Sequence, residues 1–201
     1  MSESGATVGH MSSQVYEAPR QGLNARQAET VDRLLRAGLE ELRTVGHDAL
    51  TVRTVAQRAG VSPATAYTYL ASKNHLFAEL FWRHVSAEGA DVPTGKNPTE
   101  RLRAEMRALA RQVEAEPELA AAVTPALLGS DPDVARLRLR IGSEFVRRFE
   151  RALGEGADDA VIRTVTLAFS GALLQVGMGL MTYDDLAAGL DEVVDVVMKG
   201  N

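Results

Sequence analysis

Cysteine is absent from the 201 residues of the chain. Disulfide bonds and thiolate metal sites are therefore excluded, and the composition suits a reducing compartment. The first residues also lack the basic start and the apolar run of a signal peptide. From these two absences we expect a cytoplasmic protein.

Signatures of catalysis are missing as well. The sequence shows no G-x-S-x-G, P-loop or dinucleotide-binding pattern. Its four histidines are His10, His47, His75 and His84. The last two are nine residues apart on one predicted helix, whereas two metal-binding imidazoles on a helix usually stand four apart. We expect no metal, no cofactor and no enzyme activity, and hydrolysis of a bound ester in the helical half is kept as an alternative.

Strand patterning is the third absence. No segment shows a sustained alternation of apolar and polar residues, so we predict an all-α fold. With 45% apolar residues the chain can bury a proper core. Residues 1–24 mix Ser, Gly, Gln and Pro without an apolar period. They are predicted to be a disordered tail, in which Met1 and Met11 are both candidate starts. A helix is predicted next, at residues 25–45, and it ends at Gly46.

The most informative stretch that is present covers residues 51–77. Apolar residues at i, i+3, i+4 and i+7 predict a short helix there, and they are Val52, Val55, Ala56 and Ala59. Gly60 ends this helix, and Ser62 caps the next, which has Pro63 at its first position. Ser72 then caps a longer third helix. Two short helices joined by a turn that contains glycine make a helix-turn-helix, whose second helix can enter the major groove of DNA.

Residues 25–85 resemble the amino-terminal domain of the TetR family of bacterial repressors. The positions that carry the resemblance in register are Gly46, Leu50, Thr51, Val52, Ala59, Gly60, Val61, Ser62, Tyr67, Tyr69, Ser72 and Lys73. Two positions depart from the family pattern: Leu70 replaces a more usual aromatic residue, and Asn74 stands where an acid is common. These changes bear on stability more than on function. The resemblance implies a helix-turn-helix DNA-binding domain at residues 25–88, followed by a helical ligand-binding and dimerisation domain at residues 89–201.

The candidate DNA contacts lie in and around the two short helices, and they are Thr51, Arg53, Ser62, Ala64, Thr65, Tyr67, Tyr69 and Lys73. Thr51 and Arg53 open the first helix, where N–H groups and a cation can meet a phosphate, and Arg53 can also reach a base edge. The resemblance implies that Thr65, Tyr67 and Tyr69 contact phosphates or thymine methyl groups. Tyr67 could instead fill the small core. The predicted recognition helix, residues 63–69, contains no Arg, Lys, Asn or Gln, so it does not reveal the operator sequence.

The distribution of charge favours DNA binding by the first half of the chain. Residues 1–85 contain nine Lys/Arg and eight Asp/Glu, whereas residues 86–201 contain thirteen and nineteen. Two of the acidic residues in the first half lie in the predicted tail. The basic end is therefore the end with the helix-turn-helix, and the net charge of −5 for the whole chain does not argue against a DNA partner.

The second half of the sequence predicts a bundle of helices. Their predicted spans are residues 98–115, 117–128 with an interruption at Pro125, 131–153, 157–180, and a last helix that Thr182 caps. The candidate ligand-binding residues are Met106, Ala110, Val113, Leu128, Phe145, Phe149, Phe169 and Leu173. Such a pocket favours a mostly hydrophobic, lipid-like ligand, although the same residues could simply fill a core.

Arginines on the third of these spans, residues 131–153, suggest a second kind of ligand. Arg136, Arg140, Arg147 and Arg148 could bind phosphates, as in a coenzyme A acyl thioester. The alternative is a solvated face, because Arg140, Glu144 and Arg148 are spaced for i, i+4 ion pairs.

Residues 164–183 are a run of twenty without a charged side chain. This length is enough to span a bilayer, but the run contains several Thr, Ser, Gln and Gly residues and has no basic cluster beside it beyond Arg163. The other interpretation is a helix that its own subunit buries on one side and a second subunit on the other. In TetR-like proteins the last two helices of each subunit form a four-helix dimer interface, and the resemblance implies a homodimer through the same helices here.

The predicted function is that of a TetR-like repressor, which leaves an inverted-repeat operator when a small, mostly hydrophobic ligand binds. An activator role stays open. The alternatives are a dimeric ligand carrier without DNA binding and a membrane-anchored helical protein.

Overall fold

The computed structural model describes residues 24–87 and 94–199. Within these ranges the chain forms nine helices and no strand, which confirms the all-α class. The helices are α1 (Ala25–Ala49), α2 (Val52–Arg58), α3 (Pro63–Tyr69), α4 (Lys73–Ala87), α5 (Pro98–Glu114), α6 (Pro117–Leu128), α7 (Pro132–Leu153), α8 (Asp159–Gly177) and α9 (Tyr183–Lys199). The predicted tail lies outside the described residues except for Asn24, and so does the predicted domain boundary at residue 88.

The first helix begins at a cap and contains a kink. The backbone N–H of Gln27 donates to the side chain of Asn24 at 3.0 Å, and the Gln27 side chain accepts in return from the backbone of Asn24. Gly46 was expected to end the helix, but the helix resumes and reaches Ala49. Gly46 has a φ of 75°, which glycine adopts without steric cost, so it interrupts the helical backbone at the predicted place, and a short helical piece continues beyond the kink.

Two predicted spans in the second half differ from the observed helices. Pro125 does not interrupt α6, which continues through it to Leu128. Proline removes the hydrogen bond to the carbonyl of Ala121, and because Ala121 is exposed, water can satisfy that carbonyl. The helix α8 is shorter than the predicted residues 157–180, since Asp158 caps it and it ends at Gly177.

The helix α4 connects the two halves of the molecule. It packs against α1 on one side and against α6 and α7 on the other, while α5 packs on α7 and α9. One continuous apolar core extends from Leu34 in α1 to Val194 in α9. Only three residues separate the end of α3 from the start of α4. A shift of α4 within the core would therefore move the recognition helix.

A buried arginine lies where α4, α5 and α7 meet. Arg148 is 3% exposed and pairs with Glu105 of α5. Its guanidinium also donates to the carbonyl of Val85 at 3.1 Å and to the side chain of Gln112 at 3.0 Å. Gln112 in turn is hydrogen-bonded to His84 of α4. This polar cluster ties the end of α4 to the two helices behind it.

The predicted ion pairs of Arg140, Glu144 and Arg148 on a solvated face are wrong. Glu144 and Arg148 are both buried, and Glu144 pairs with Arg147 instead. The guanidinium of Arg140 lies 4.3 Å from the centre of the Trp82 ring on α4. Helix α7 therefore turns Arg140 and Arg148 toward neighbouring helices, where they find partners that spacing along one helix cannot reveal.

Candidate functional site: a DNA-reading head and an apolar cavity

The helices α2 and α3, which we call the reading head, owe their ends to local hydrogen bonds. The hydroxyl of Thr51 accepts from the backbone N–H of Thr54 at 3.1 Å, and that of Ser62 accepts from Thr65 at 3.1 Å. Between the helices, Gly60 has a φ of 66°, a value that favours glycine. The reading head packs on α1 through α2, and α3 packs on α2. The buried residues are Val52, Val55, Ala56 and Ala66.

The predicted DNA contacts all lie at or near the surface of the reading head. Thr51, Arg53, Ser62, Ala64 and Tyr67 are exposed, whereas Thr65, Tyr69 and Lys73 are half-buried. The side chain of Tyr67 is 54% exposed, so it does not fill the core. Contact with DNA stays a prediction for all eight residues, which lie on or directly before α2, α3 and the start of α4.

The two cations of this set differ in their surroundings. Arg53 forms no ion pair within residues 24–87 and 94–199, whereas nearby Arg58 pairs with Glu40 and Glu41. The ammonium of Lys73 donates to the carbonyl of His47 at 3.2 Å, next to the kink in α1. An ammonium has three donors, so Lys73 can hold this carbonyl and still bind a phosphate.

A cavity of about 630 Å³ lies between α6, α7 and α8. Its walls are mostly apolar, as is usual for small-molecule sites. Four of the predicted ligand residues line it: Val113, Leu128, Phe145 and Leu173. The other four, Met106, Ala110, Phe149 and Phe169, are buried in the core and are not part of the lining. Their role in ligand binding stays a prediction.

Aromatic residues support the wall of the cavity from behind. The rings of Phe145 and Phe169 meet edge to face with centres 5.1 Å apart, and Phe149 contacts Phe169 in the same way at 5.7 Å. Phe145 is thus the member of the trio that reaches the cavity, and the other two hold its ring in place.

Polar residues of the cavity were not predicted. Thr124 donates its hydroxyl to the carbonyl of Ala120 at 2.9 Å. Burial raises the pKa of Tyr183, and the nearby Glu114 and Glu118 raise it further, so its hydroxyl stays protonated. Arg138 also lines the cavity. Helical spacing could have found Arg138, because it shares a face of α7 with Ile141 and Phe145.

Gly142 provides a test of whether the cavity is the ligand site. It lines the cavity, and no atom lies within 4 Å of a Cβ built on it. Gly142→Leu should raise the melting temperature by several degrees and abolish ligand binding, because the new side chain occupies empty apolar space. Gly142→Ala is the matched control, since it brings the helix propensity of a non-glycine residue but little volume. Equal ligand affinity in the two variants would show that the ligand binds elsewhere.

Metal ligation finds no support in the described part of the chain. No group of three or more His, Cys, Asp or Glu side chains there is placed to hold a metal ion.

Comparison with known proteins gives the family. The family described as bacterial regulatory proteins, tetR family, matches residues 34–80, which contain the reading head. An uncharacterized HTH-type transcriptional regulator of Mycobacterium tuberculosis, Rv0767c, is 43% identical over 179 residues, covering 88% of this chain and 84% of the relative.

The chain belongs to the TetR family. It is accordingly a transcriptional regulator with a helix-turn-helix DNA-binding domain. The transcriptional repressor KstR of Rhodococcus jostii is 29% identical to it over 86% of this chain and 84% of KstR.

Solved TetR structures share the fold. A TetR transcriptional regulator from Rhodococcus sp. RHA1 superimposes with a TM-score of 0.73 at 19% identity, over 89% of this chain and 99% of the other. FadR of Thermus thermophilus, a TetR-family repressor solved in complex with lauroyl-CoA, gives a TM-score of 0.68 at 22% identity, over 84% and 93%. The arrangement of nine helices within the described residues is therefore that of TetR regulators.

A hydrogen bond joins the two halves of this TetR regulator beside the recognition helix. The hydroxyl of Ser72, which caps α4, donates to the carboxylate of Asp131 at 2.8 Å. Asp131 also caps α7, because it accepts from the backbone N–H of Asp133 at 2.9 Å. The bond from Ser72 lowers the pKa of Asp131, with help from backbone N–H groups and from His75, so the carboxylate is charged at neutral pH.

The membrane-anchored alternative depends on α8. Among the described helices, α8 is the one that is long and apolar enough to cross a bilayer. The same helix takes part in the TetR fold here, packing on α9 and α7. Leu167 on α8 and Met178 directly after it are exposed in the single subunit. The family match favours a regulator over a membrane protein, and it leaves this apolar face to be explained.

Proposed function

We propose that this TetR regulator is a cytoplasmic homodimeric repressor, which a small, mostly hydrophobic ligand releases from an inverted-repeat operator. The observation that carries the proposal is the cavity of about 630 Å³ in the helices that hold α4. The name of KstR, a repressor, supports the direction of regulation. A lipid-like molecule or an acyl thioester fits the apolar walls.

The contacts of α4 couple the cavity to the recognition helix. Helices α6 and α7 form walls of the cavity and also pack against α4. At their junction, Asp131 binds Ser72 at the start of α4. A ligand that prefers a different spacing of α6 and α7 would shift this contact and with it the recognition helix. The ligand weakens operator binding to the extent that it binds the displaced state more tightly.

Selection of bound genomic DNA by the purified protein tests this function. We expect an inverted repeat whose half-sites are about 34 Å apart or a multiple of that distance, as the two-fold symmetry of a dimer requires. Candidate fatty acids and acyl thioesters are then titrated into the complex and should weaken it. A single asymmetric half-site, or no enriched sequence, would refute the proposed repressor.

Asp131→Asn should reduce the communication between ligand and DNA. Asparagine caps a helix about as well as aspartate, so α7 is kept, but the charge-assisted bond from Ser72 is lost. We expect the factor by which ligand weakens operator binding to fall about fivefold, which is within the usual range of coupling energies. Asp133→Asn, two residues further on, removes the same charge without touching Ser72 and is the control. If both variants keep the full effect of the ligand, the hydrogen bond between Ser72 and Asp131 does not couple ligand binding to DNA binding.

The proposed dimer would cover the exposed face of α8. Leu167 is 74% exposed in the single subunit, whereas Leu190 of α9 is 1% exposed and belongs to the core. A charge at Leu190 would therefore unfold the subunit rather than separate two subunits. Leu167→Glu should instead give folded monomers in sedimentation, because the dimer would bury an unpaired charge. Leu139→Glu on α7, where the leucine is 72% exposed, is the control and should stay dimeric.

A further inference from the structure

We propose that Arg138 binds the anionic head group of the ligand, so that the ligand is an amphiphile with a carboxylate or phosphate on one apolar body. This inference deepens the proposed function and rests on the cavity being the ligand site. It names the chemistry that the cavity recognises.

Arg138 differs from every other residue that lines the cavity. Among the described residues that line the cavity, Arg138 is the one that carries a formal charge, and the others are aliphatic, aromatic, glycine, hydroxyl and proline residues. A guanidinium remains protonated at any pH that a protein tolerates. The cavity therefore offers one fixed positive charge beside apolar walls, which is the complement of an anionic amphiphile.

The guanidinium of Arg138 is held in place without being neutralised. Its Nε donates to the carbonyl of Leu127 and its Nη2 to the carbonyl of Gly129, each at 2.6 Å. Within the described residues no carboxylate lies within ion-pair distance of it. A guanidinium has five N–H donors, so donors remain for a carboxylate or phosphate, and such pairs are the strong, often bidentate ones.

Three other arginines of α7 have partners that make them less available to a ligand than Arg138. Arg147 pairs with Glu144, and Arg148 pairs with Glu105. Arg140 stacks on Trp82. These three cations have partners inside the fold, whereas the partners of Arg138 are two neutral carbonyls.

Capture of an anion by Arg138 would also affect the start of α4. The carbonyls that Arg138 holds belong to the end of α6 and the turn that follows, two residues before Asp131. An anion bound by the remaining N–H donors would shift the guanidinium, and with it the turn to which these carbonyls belong. Because Asp131 anchors Ser72, the head group acts on the contact that positions the recognition helix.

Binding of matched amphiphiles tests the proposal. The probes are an alkyl carboxylic acid, the alkyl phosphate and the primary alcohol of the same chain length, in a series from ten to sixteen carbons, below their micelle concentrations. We expect the full-length protein to bind the acid, the phosphate or both at least about tenfold more tightly than the alcohol, and the preference to shrink with added salt. The ratio of the affinities for the acid and the phosphate shows whether the site prefers a carboxylate or a phosphate head group.

Three variants separate the anion site from the fold. Arg138→Gln should bind acid, phosphate and alcohol with similar affinity. Arg138→Lys keeps the charge and should keep part of the preference for anionic probes. It controls for the loss of the hydrogen bonds to the carbonyls of Leu127 and Gly129. Arg136→Gln, two residues before Arg138 on α7 and outside the cavity lining, should behave as the parent protein.

Equal affinity of the parent protein for acid and alcohol would overturn the proposal. So would a preference that survives in Arg138→Gln, or a series that does not bind at all. Operator binding is measured separately with ligand-free protein. If operator binding persists while the anion preference is absent, the inference about Arg138 fails and the proposed regulator stands. If operator binding is absent, the proposed function fails.

Discussion

Arg148→Met should lower the free energy of unfolding by about 3–5 kcal/mol, because it leaves Glu105 buried without its cation. Glu105 is 6% exposed, and its partner Arg148 is 3% exposed, so solvent cannot replace the lost pair. The variant also removes the donors to Val85 and Gln112. The measurement is urea denaturation at one fixed protein concentration, since the stability of a dimer depends on concentration.

The double variant Arg148→Met with Glu105→Leu isolates the cause. An apolar pair of similar volume in place of the buried ions should recover most of the lost stability. Arg107→Met is the surface control: Arg107 pairs with Asp191, but its side chain is 48% exposed, so we expect little or no loss of stability. A double variant as unstable as the single one would show that packing, and not the unpaired carboxylate, causes the loss.

Arg53→Ala should weaken operator binding by roughly tenfold or more and relax sequence preference at one position of each half-site. Arg53 is exposed at the start of α2 and forms no ion pair within the described residues, so its guanidinium is available to a base edge. Lys73→Ala should weaken binding about equally for all sequences and reduce the salt dependence by about one counterion, as expected for a phosphate contact.

The control for these variants is Arg111→Ala, which removes the same charge from an exposed position on α5 in the other half of the chain. It should leave operator affinity and specificity nearly unchanged. Binding is measured at several salt concentrations on the selected operator and on a scrambled sequence. If Arg53→Ala and Lys73→Ala lose affinity for both sequences in the same proportion, Arg53 contacts only the backbone.

Local features of the fold could be predicted because they depend on neighbours in the chain. The caps at Ser62, Ser72 and Thr182 are hydrogen bonds to backbone groups three residues away. The turn at Gly60 needs a positive φ that glycine supplies. Amphipathic spacing identified the inward faces of the helices. These short-range rules suffice for the reading head, which is compact and built from consecutive residues.

Where prediction failed, a partner distant in sequence decided the outcome. Arg148 has the spacing of a solvated i, i+4 pair, but it binds Glu105, which is 43 residues away. Phe149 and Phe169 have the same apolar character as Phe145, yet only Phe145 reaches the cavity. Whether an apolar residue lines a cavity or fills the core depends on how neighbouring helices pack, and the apolar pattern of one helix does not reveal that packing.

By itself, the sequence determined the all-α class, the helix-turn-helix and its candidate DNA contacts, because periodicity, caps and turns are local properties of the chain. The tertiary structure alone decided which residues enclose the cavity, that Arg138 faces it with neutral partners, and that Asp131 binds Ser72 across 59 residues. These features arise from the packing of α4, α6 and α7 against one another. Helix packing is set by the sum of many weak long-range contacts, and no single stretch of the chain encodes it.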